Sequence, residues 1–433
     1  MSSKELWRTL SRSRQAVPTP GQLSDPEPEL TDPNGKLRFI EGMRGVAALY
    51  VALGHLCTMV DPARMVGVQD GSPEAMKRFV ACFAYGHLAV AIFIVISGFS
   101  LQLSLFSAGD GTMKDLGRFY RRRIRRILPT YYACLAASVA VALVITPQLL
   151  KRYGAPFAIY LPVNWTTLLT HLFLVHNWSV GWMYKINGVL WSIAIEVQLY
   201  VIFPLLVKGL NRVGRTVTFG LCVAIALLVL NTVSSAPKLY PWYLPLFVAG
   251  MIGAHLAYRP HLRVGLVPNF ALAVAAILIF FGARSCAQGT DLPLQDGLFG
   301  IAASCAMYAF TARPTHWIAR GFSLRPITFV GAFSYSLYLM HHPIEQVMFW
   351  LKPISLRGPG AVVYQFVIAL PAVILGAWLF SLVFEKPFLP KSSRRVQTPV
   401  AMDGALSQPS NEGGETPHSG DSPAPGLTLG ELV

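Results

Sequence analysis

Charge is what this sequence has least of. Only 13% of its 433 residues are charged, against 53% hydrophobic residues and a mean hydropathy of +0.48. An ordinary soluble domain carries about 25% charged residues. So little polar surface excludes a soluble enzyme and a disordered chain. Cysteine is scarce as well: the six (Cys57, Cys82, Cys134, Cys222, Cys286 and Cys305) stand singly, none at metal-ligand spacing. That excludes a secreted disulfide scaffold, and no metal is expected; packing is the expected role. A Cys57–Cys82 or Cys286–Cys305 bridge is conceivable, with nothing further in the sequence to support it. No internal repeat is visible, which counts against transporter folds built from inverted halves. Acid is rarest through the middle of the chain, where Glu196 is alone between Asp115 and Asp291.

What is present is apolar sequence in blocks of about 20 residues, long enough to cross a hydrocarbon core of ~30 Å as helix. Ten blocks qualify, near 40–60, 80–103, 127–147, 189–207, 216–233, 241–258, 268–283, 294–311, 327–350 and 361–384. The expected fold is an all-α polytopic membrane protein with ten spans, both termini on one side, and the stretch 155–188 as a candidate partial span. No apolar block precedes the first span, so no cleavable leader is expected. Of 36 lysines and arginines, 25 fall in segments on the side of the termini, 10 on the other side, and Arg44 inside the first span. Basic loops stay cytoplasmic, so both termini are expected in the cytoplasm and the chain in the plasma (inner) membrane. Residues 1–35 and 389–433 are rich in Pro, Ser, Gly and acids and read as disordered tails around a membrane domain at 36–388.

Ionisable groups at membrane depth are costly and usually functional. In FIEGMRGVAALYVALGHL, Arg44 and His55 are 11 residues apart, on one helix face and ~16 Å apart along the axis, with Glu41 about one turn before Arg44. Glu196 lies inside LWSIAIEVQLYVIF, where a carboxylate must be paired, protonated or working. Depth arithmetic places His55, Glu196, His341 and His87 in one layer, so the four are expected to meet. A second cluster, Arg121, Arg122, Arg123, Arg125 and Arg126 in FYRRRIRRILPTYY, suits a polyanion such as phosphate, which the guanidinium fork binds bidentately. The net charge of +15 leaves nucleic acid open, but one short membrane-edge run with no binding module around it does not fit that partner.

These stretches resemble the acyltransferase-3 family of integral membrane acyl-CoA transferases. The matches are EGMRGVAALYVALGH, GHLAVAIFIVISGF, RRIRRILPTYY, LWSIAIEVQLY, FSYSLYLMHHPI and FEKPF, in the family's order and over roughly residues 36–390. Glu41 stands where Asp is usual, and Ala89 and Ile94 where Gly and Phe are commoner. The resemblance implies transfer of an acyl group, acetyl in the first instance, from cytoplasmic acyl-CoA to a hydroxyl of a sugar, glycolipid or polysaccharide precursor. It carries the essential His onto His55, the first-helix Arg onto Arg44, and the third-helix arginines onto Arg123 and Arg126, with Arg122 adjacent. Glu196, Ser334, Tyr338 and His341 match further motif positions. Acyl-CoA is thus a substrate held by Arg44, Arg122, Arg123 and Arg126, and no resident cofactor is expected. His55 is the expected general base, with Glu196 or Glu41 orienting or balancing its imidazole. Ser97 and Ser334 are weaker candidates as nucleophile, and His87 and Trp191 supporting residues. A proton-coupled transporter or lipid-linked flippase would use the same His and Glu groups, but the arginine cluster and the lack of repeats weigh against it.

Overall fold

A computed structural model describes residues 37–58, 73–108, 111–233, 239–258, 266–289 and 291–389. The two expected tails lie outside the described residues, save Leu389. Within them the secondary structure is helix, with no strand. The first helices are α1 (Arg38–Thr58), α2 (Glu74–Ala81), α3 (Gly86–Ser107), α4 (Leu116–Val144) and α5 (Thr146–Tyr153). Short helices α6 (Trp165–Leu172) and α7 (Val180–Met183) lead to α8 (Trp191–Arg212), α9 (Arg215–Thr232), α10 (Tyr243–Ala257), α11 (Leu266–Ala287) and α12 (Leu292–Ala312). Then come α13 (Trp317–Phe322), α14 (Arg325–Ala332), α15 (Ser334–Leu351), α16 (Gly358–Tyr364) and, after a π turn at Gln365–Ala369, α17 (Leu370–Phe384).

A helix overlaps each of the ten expected spans, but among the described residues six stretches are long and apolar enough to cross a membrane. They are 74–107, α4, α8, α9, α11 and 358–388. The remaining four differ for a physical reason. Helix α10 has only 15 residues. Helices α1, α12 and α15 interrupt their apolar runs with Glu41 and Arg44, with Asp296, and with His341, His342 and Glu345. These four pack centrally: α1 lies against α3, α14 and α15, and α10 against α3 and α12. A helix enclosed by other helices can carry polar groups that lipid would reject. Helices α9 and α11 form the rim and leave Leu228 and Phe270 exposed.

Close approach depends on small residues, as in many membrane bundles. Helices α3 and α10 meet at Gly98, where a Cβ would stand 2.1 Å from the Phe247 carbonyl oxygen. Helices α1 and α14 meet at Gly331, where a Cβ would stand 2.1 Å from the Glu41 carbonyl oxygen. Helix α15 contains Pro343, which cannot donate to the Leu339 carbonyl. That oxygen instead accepts from Cys134 Sγ at 3.2 Å and Asn187 Nδ2 at 3.4 Å. At the start of the same helix, the carboxylate of Glu385 accepts from the Ser336 amide at 3.1 Å and hydroxyl at 2.5 Å. A chain-distant acid thus caps a helix N-terminus, which gives the FEKPF stretch a structural task.

The stretch 155–188 forms no span. It folds back on α4, where the Tyr131 and Tyr132 hydroxyls donate to the His171 and Leu172 carbonyls, each at 2.9 Å. All six cysteines are free, so neither conceivable bridge is formed. Replacing Gly331 with Ala should push α14 off α1, with an overpacking cost of about 2 kcal/mol and a thermal midpoint lower by ~5 °C in detergent. An unchanged midpoint would show that this contact yields freely.

Candidate active site

Two cavities lie in line beside α1 and share Val90 and Tyr338 as a common wall. The smaller, about 40 Å³, is lined by Arg44, Ser97, Ser192, Glu196 and Ser334. The larger, about 220 Å³, is lined by His55, His87, Phe83, Tyr184, Trp191 and Tyr240. Arg44 and His55 share one face of α1, so the cavities follow each other over the ~16 Å that 11 helical residues span.

In the larger cavity, His55 Nδ1 lies 3.1 Å from the Val51 carbonyl oxygen and 3.3 Å from His341 Nε2. A carbonyl only accepts, so Nδ1 carries the proton and Nε2 is the basic nitrogen. His341 Nδ1 in turn lies 3.2 Å from the Leu337 carbonyl, which leaves its Nε2 to accept from His55. The two rings, 5.0 Å apart, therefore form a directed pair of neutral imidazoles. The neighbouring His342 packs edge-on against His55, ring centroids 5.6 Å apart, with its Nε2 3.0 Å from the Tyr160 hydroxyl and Nδ1 accepting from Gln346 at 3.2 Å. His87 Nδ1 lies 2.7 Å from Asp296, whose second oxygen accepts from Trp242 Nε1 at 2.8 Å. Trp191 stacks on Tyr240 with centroids 4.2 Å apart and completes an aromatic wall.

In the smaller cavity, Glu196 accepts from Ser97 at 2.5 Å and from the Tyr200 hydroxyl. Tyr200 also reaches Ser97 at 3.3 Å. The Arg123 guanidinium sits 5.8 Å from the ring centres of both Phe119 and Tyr200, and its Nε is buried without a partner. Arg44 lies in the field of Arg126, Glu196 and Glu385, and Arg123 in that of Arg126, Glu196 and Arg44. Arg44, Arg123, Arg126 and Glu196 thus share one electrostatic neighbourhood, with Arg44 and Glu196 lining the cavity itself. Tyr338 separates the cavities, its hydroxyl 2.6 Å from that of Ser192.

The structure brings His55, His341 and His87 together, but Glu196 stands apart with the arginines. The physical reason is helical register. Helix α8 begins at Trp191, which reaches the His55 cavity, and Glu196 lies five residues, or ~7.5 Å, further along. The arginine run is also helical rather than a loop edge, because Asp115 caps α4 by accepting from the Arg118 amide at 2.8 Å. The helix sorts the cluster: Arg123 and Arg126 face inward, while Arg121, Arg122 and Arg125 are exposed. Glu41 remains at the arginine end, with its backbone against Gly331. Sequence reasoning missed Asp296, Tyr200 and Glu345. Both carboxyl oxygens of Glu345 are buried without a partner one turn beyond His341. Charge inside an apolar block, the signal that singles out Glu41, Arg44 and Glu196, is equally present at Asp296 and Glu345.

Residues 37–382 match the model described as an acyltransferase domain, and the chain belongs to this acyltransferase-3 family. It is similar to O-acetyltransferase OatA of Staphylococcus aureus (strain NCTC 8325 / PS 47), 24% identical over 280 residues that cover 60% of this chain and 46% of that protein. It is also similar to peptidoglycan O-acetyltransferase OatA of Listeria monocytogenes, 25% identical over 292 residues that cover 60% of this chain and 45% of that protein. The chain therefore spans under half the length of these curated relatives. No solved structure matches it.

Removal of the Ser97 hydroxyl deprives a carboxylate of a short hydrogen bond at membrane depth. Ser97→Ala should cost about 2 kcal/mol and lower the thermal midpoint, while Ser97→Thr restores most of it. Equal midpoints for wild type and Ser97→Ala would contradict this contact.

Proposed function

We propose that this chain is a membrane O-acyltransferase that moves an acyl group, acetyl in the first instance, from acyl-CoA to a hydroxyl of a carbohydrate, glycolipid or related envelope precursor. One observation carries the reading. A cavity lined by Arg44 and Glu196 and a cavity lined by His55 and His87 follow each other along α1 and share Val90 and Tyr338 as a wall. The ~16 Å from Arg44 to His55 is of the order that a pantetheine arm spans from its phosphates to its thioester. Arg44, Arg123 and Arg126 hold the phosphates, on the cytoplasmic side in the plasma (inner) membrane by the lysine and arginine bias. Exposed Arg122 adds attraction from outside the cavity. Glu196, held by Ser97 and Tyr200, balances the guanidiniums, with Glu41 at the same end.

The thioester carbon then reaches His55 Nε2. The acceptor hydroxyl gives its proton to that nitrogen as its oxygen attacks the carbonyl. The C–S bond breaks, and the leaving thiolate takes the proton back from His55. His341 does for His55 what the carboxylate does in a Ser-His-Asp system, since it fixes the tautomer with Nε2 basic. An acyl-enzyme is not required, because Ser97 serves Glu196 and Ser334 has no base beside it. The peptidoglycan named for the Listeria relative makes a glycan the first acceptor to test.

The test uses the full chain in nanodiscs with labelled acetyl-CoA. His55→Ala should lower kcat by roughly a thousandfold without a change in thermal midpoint. Arg123→Ala should raise the KM for acetyl-CoA about tenfold. A folded His55→Ala that retains full transfer removes His55 as the base.

A further inference from the structure

Nothing in the transfer as derived uses His87 or Asp296, yet they form the most ordered polar contact of the larger cavity. Asp296 is fully buried and both of its oxygens are engaged, one by His87 Nδ1 at 2.7 Å and the other by Trp242 Nε1 at 2.8 Å. Two donors converging on one carboxylate lock its plane, and the carboxylate in turn locks the imidazole. Since Asp296 accepts, His87 Nδ1 carries a proton, and Nε2 is the ring nitrogen left to meet a ligand. Among the described residues no protein group bonds that Nε2, nor is it among the buried orphaned atoms. It is presented to the cavity that His87 lines with His55.

A histidine–aspartate pair in a helix bundle is often only packing. Three features argue otherwise here. The ring keeps 18% of its side chain accessible while its aspartate keeps none. The contact joins α3 to α12, which already pack against each other and need no further polar contact to stay together. The same cavity is lined by a second imidazole, that of His55. Two imidazoles in one chamber walled by Trp191, Tyr184, Tyr240 and Tyr338 fit a ligand with two hydroxyls and an apolar ring face. They match a simple monohydric alcohol only by half.

We propose that His87, held by Asp296, is an acceptor-binding residue: its Nε2 hydrogen-bonds a second hydroxyl of a polyhydroxylated acceptor whose reacting hydroxyl lies at His55. The proposal rests on the acyl-transfer reading above and sharpens its acceptor class to neutral polyols. Asp296 acts through His87 as a positioning residue.

The test compares two probe acceptors with acetyl-CoA as donor, using the full chain in nanodiscs. One is a soluble N-acetylglucosamine disaccharide and the other is n-butanol, which has a single hydroxyl. His87→Ala should raise the KM for the disaccharide about tenfold, with the KM for acetyl-CoA and for butanol within about twofold of wild type. His87→Gln, at the partly accessible cavity wall, serves as a second variant, and Asp296→Asn should reproduce the shift more weakly. A disaccharide KM unchanged in both His87 variants, or an acetyl-CoA KM raised by the same factor, overturns the proposal alone. Wild-type transfer to butanol but not to the disaccharide overturns the polyol class and the proposal with it. Transfer to neither probe removes the acyl-transfer reading beneath both.

Discussion

A polar group at membrane depth has no water to fall back on, and this constraint organises the molecule. The bundle meets it by enclosing its least apolar helices. Helices α1, α12 and α15 carry arginine, histidine and acid, and they sit among α3, α4, α8 and α10 rather than at the rim. Inside that enclosure four groups have named partners: Glu196 on Ser97 and Tyr200, Asp296 on His87 and Trp242, Glu385 on Ser336, and His55 on His341. Such contacts are worth more in low dielectric than in water, so they fix side chains as well as satisfy them. Two lined cavities along one helix face are the result.

The same contacts explain the stretches by which the family is recognised. In ISGF, the serine holds Glu196 while Gly98 lets α10 approach. In EGMRG, the backbone of Glu41 lies against Gly331 while Arg44 lines the smaller cavity. In MHHPI, His341 supports His55 and Pro343 releases a carbonyl that Asn187 and Cys134 take up. FEKPF supplies the cap for α15. ISGF, EGMRG and MHHPI thus each set a backbone feature that shapes packing beside a polar side chain.

Legibility in the sequence followed the range of the interaction. The helices, the shared face of Arg44 and His55, and the weight of the arginine run are local and could be read directly. The pairing of Ser97 with Glu196, 99 residues away, and of His87 with Asp296, 209 residues away, could not. Depth arithmetic places His341 and His87 in one layer with His55 even though α15 and α3 begin at 334 and 86, six to seven residues inside the expected spans. It misses Glu196 although α8 begins within two residues of the expected 189: Glu196 lies ~7.5 Å past Trp191 along the axis and turns to Ser97 and Tyr200. Asp115 is an N-cap residue by type, and the helical phase it starts separates Arg123 and Arg126 from their neighbours.

The central claim is that donor phosphates and acceptor hydroxyl meet across Tyr338, from cavities at opposite ends of the Arg44–His55 face. The most direct measurement is a cryo-electron microscopy structure of the full chain in nanodiscs with a non-hydrolysable thioether analogue of acetyl-CoA. The account predicts phosphate density at Arg44, Arg123 and Arg126 and the acyl end at His55 Nε2. An analogue bound with its phosphates away from these arginines, or with its acyl end on the far side of Tyr338 from His55, would contradict it.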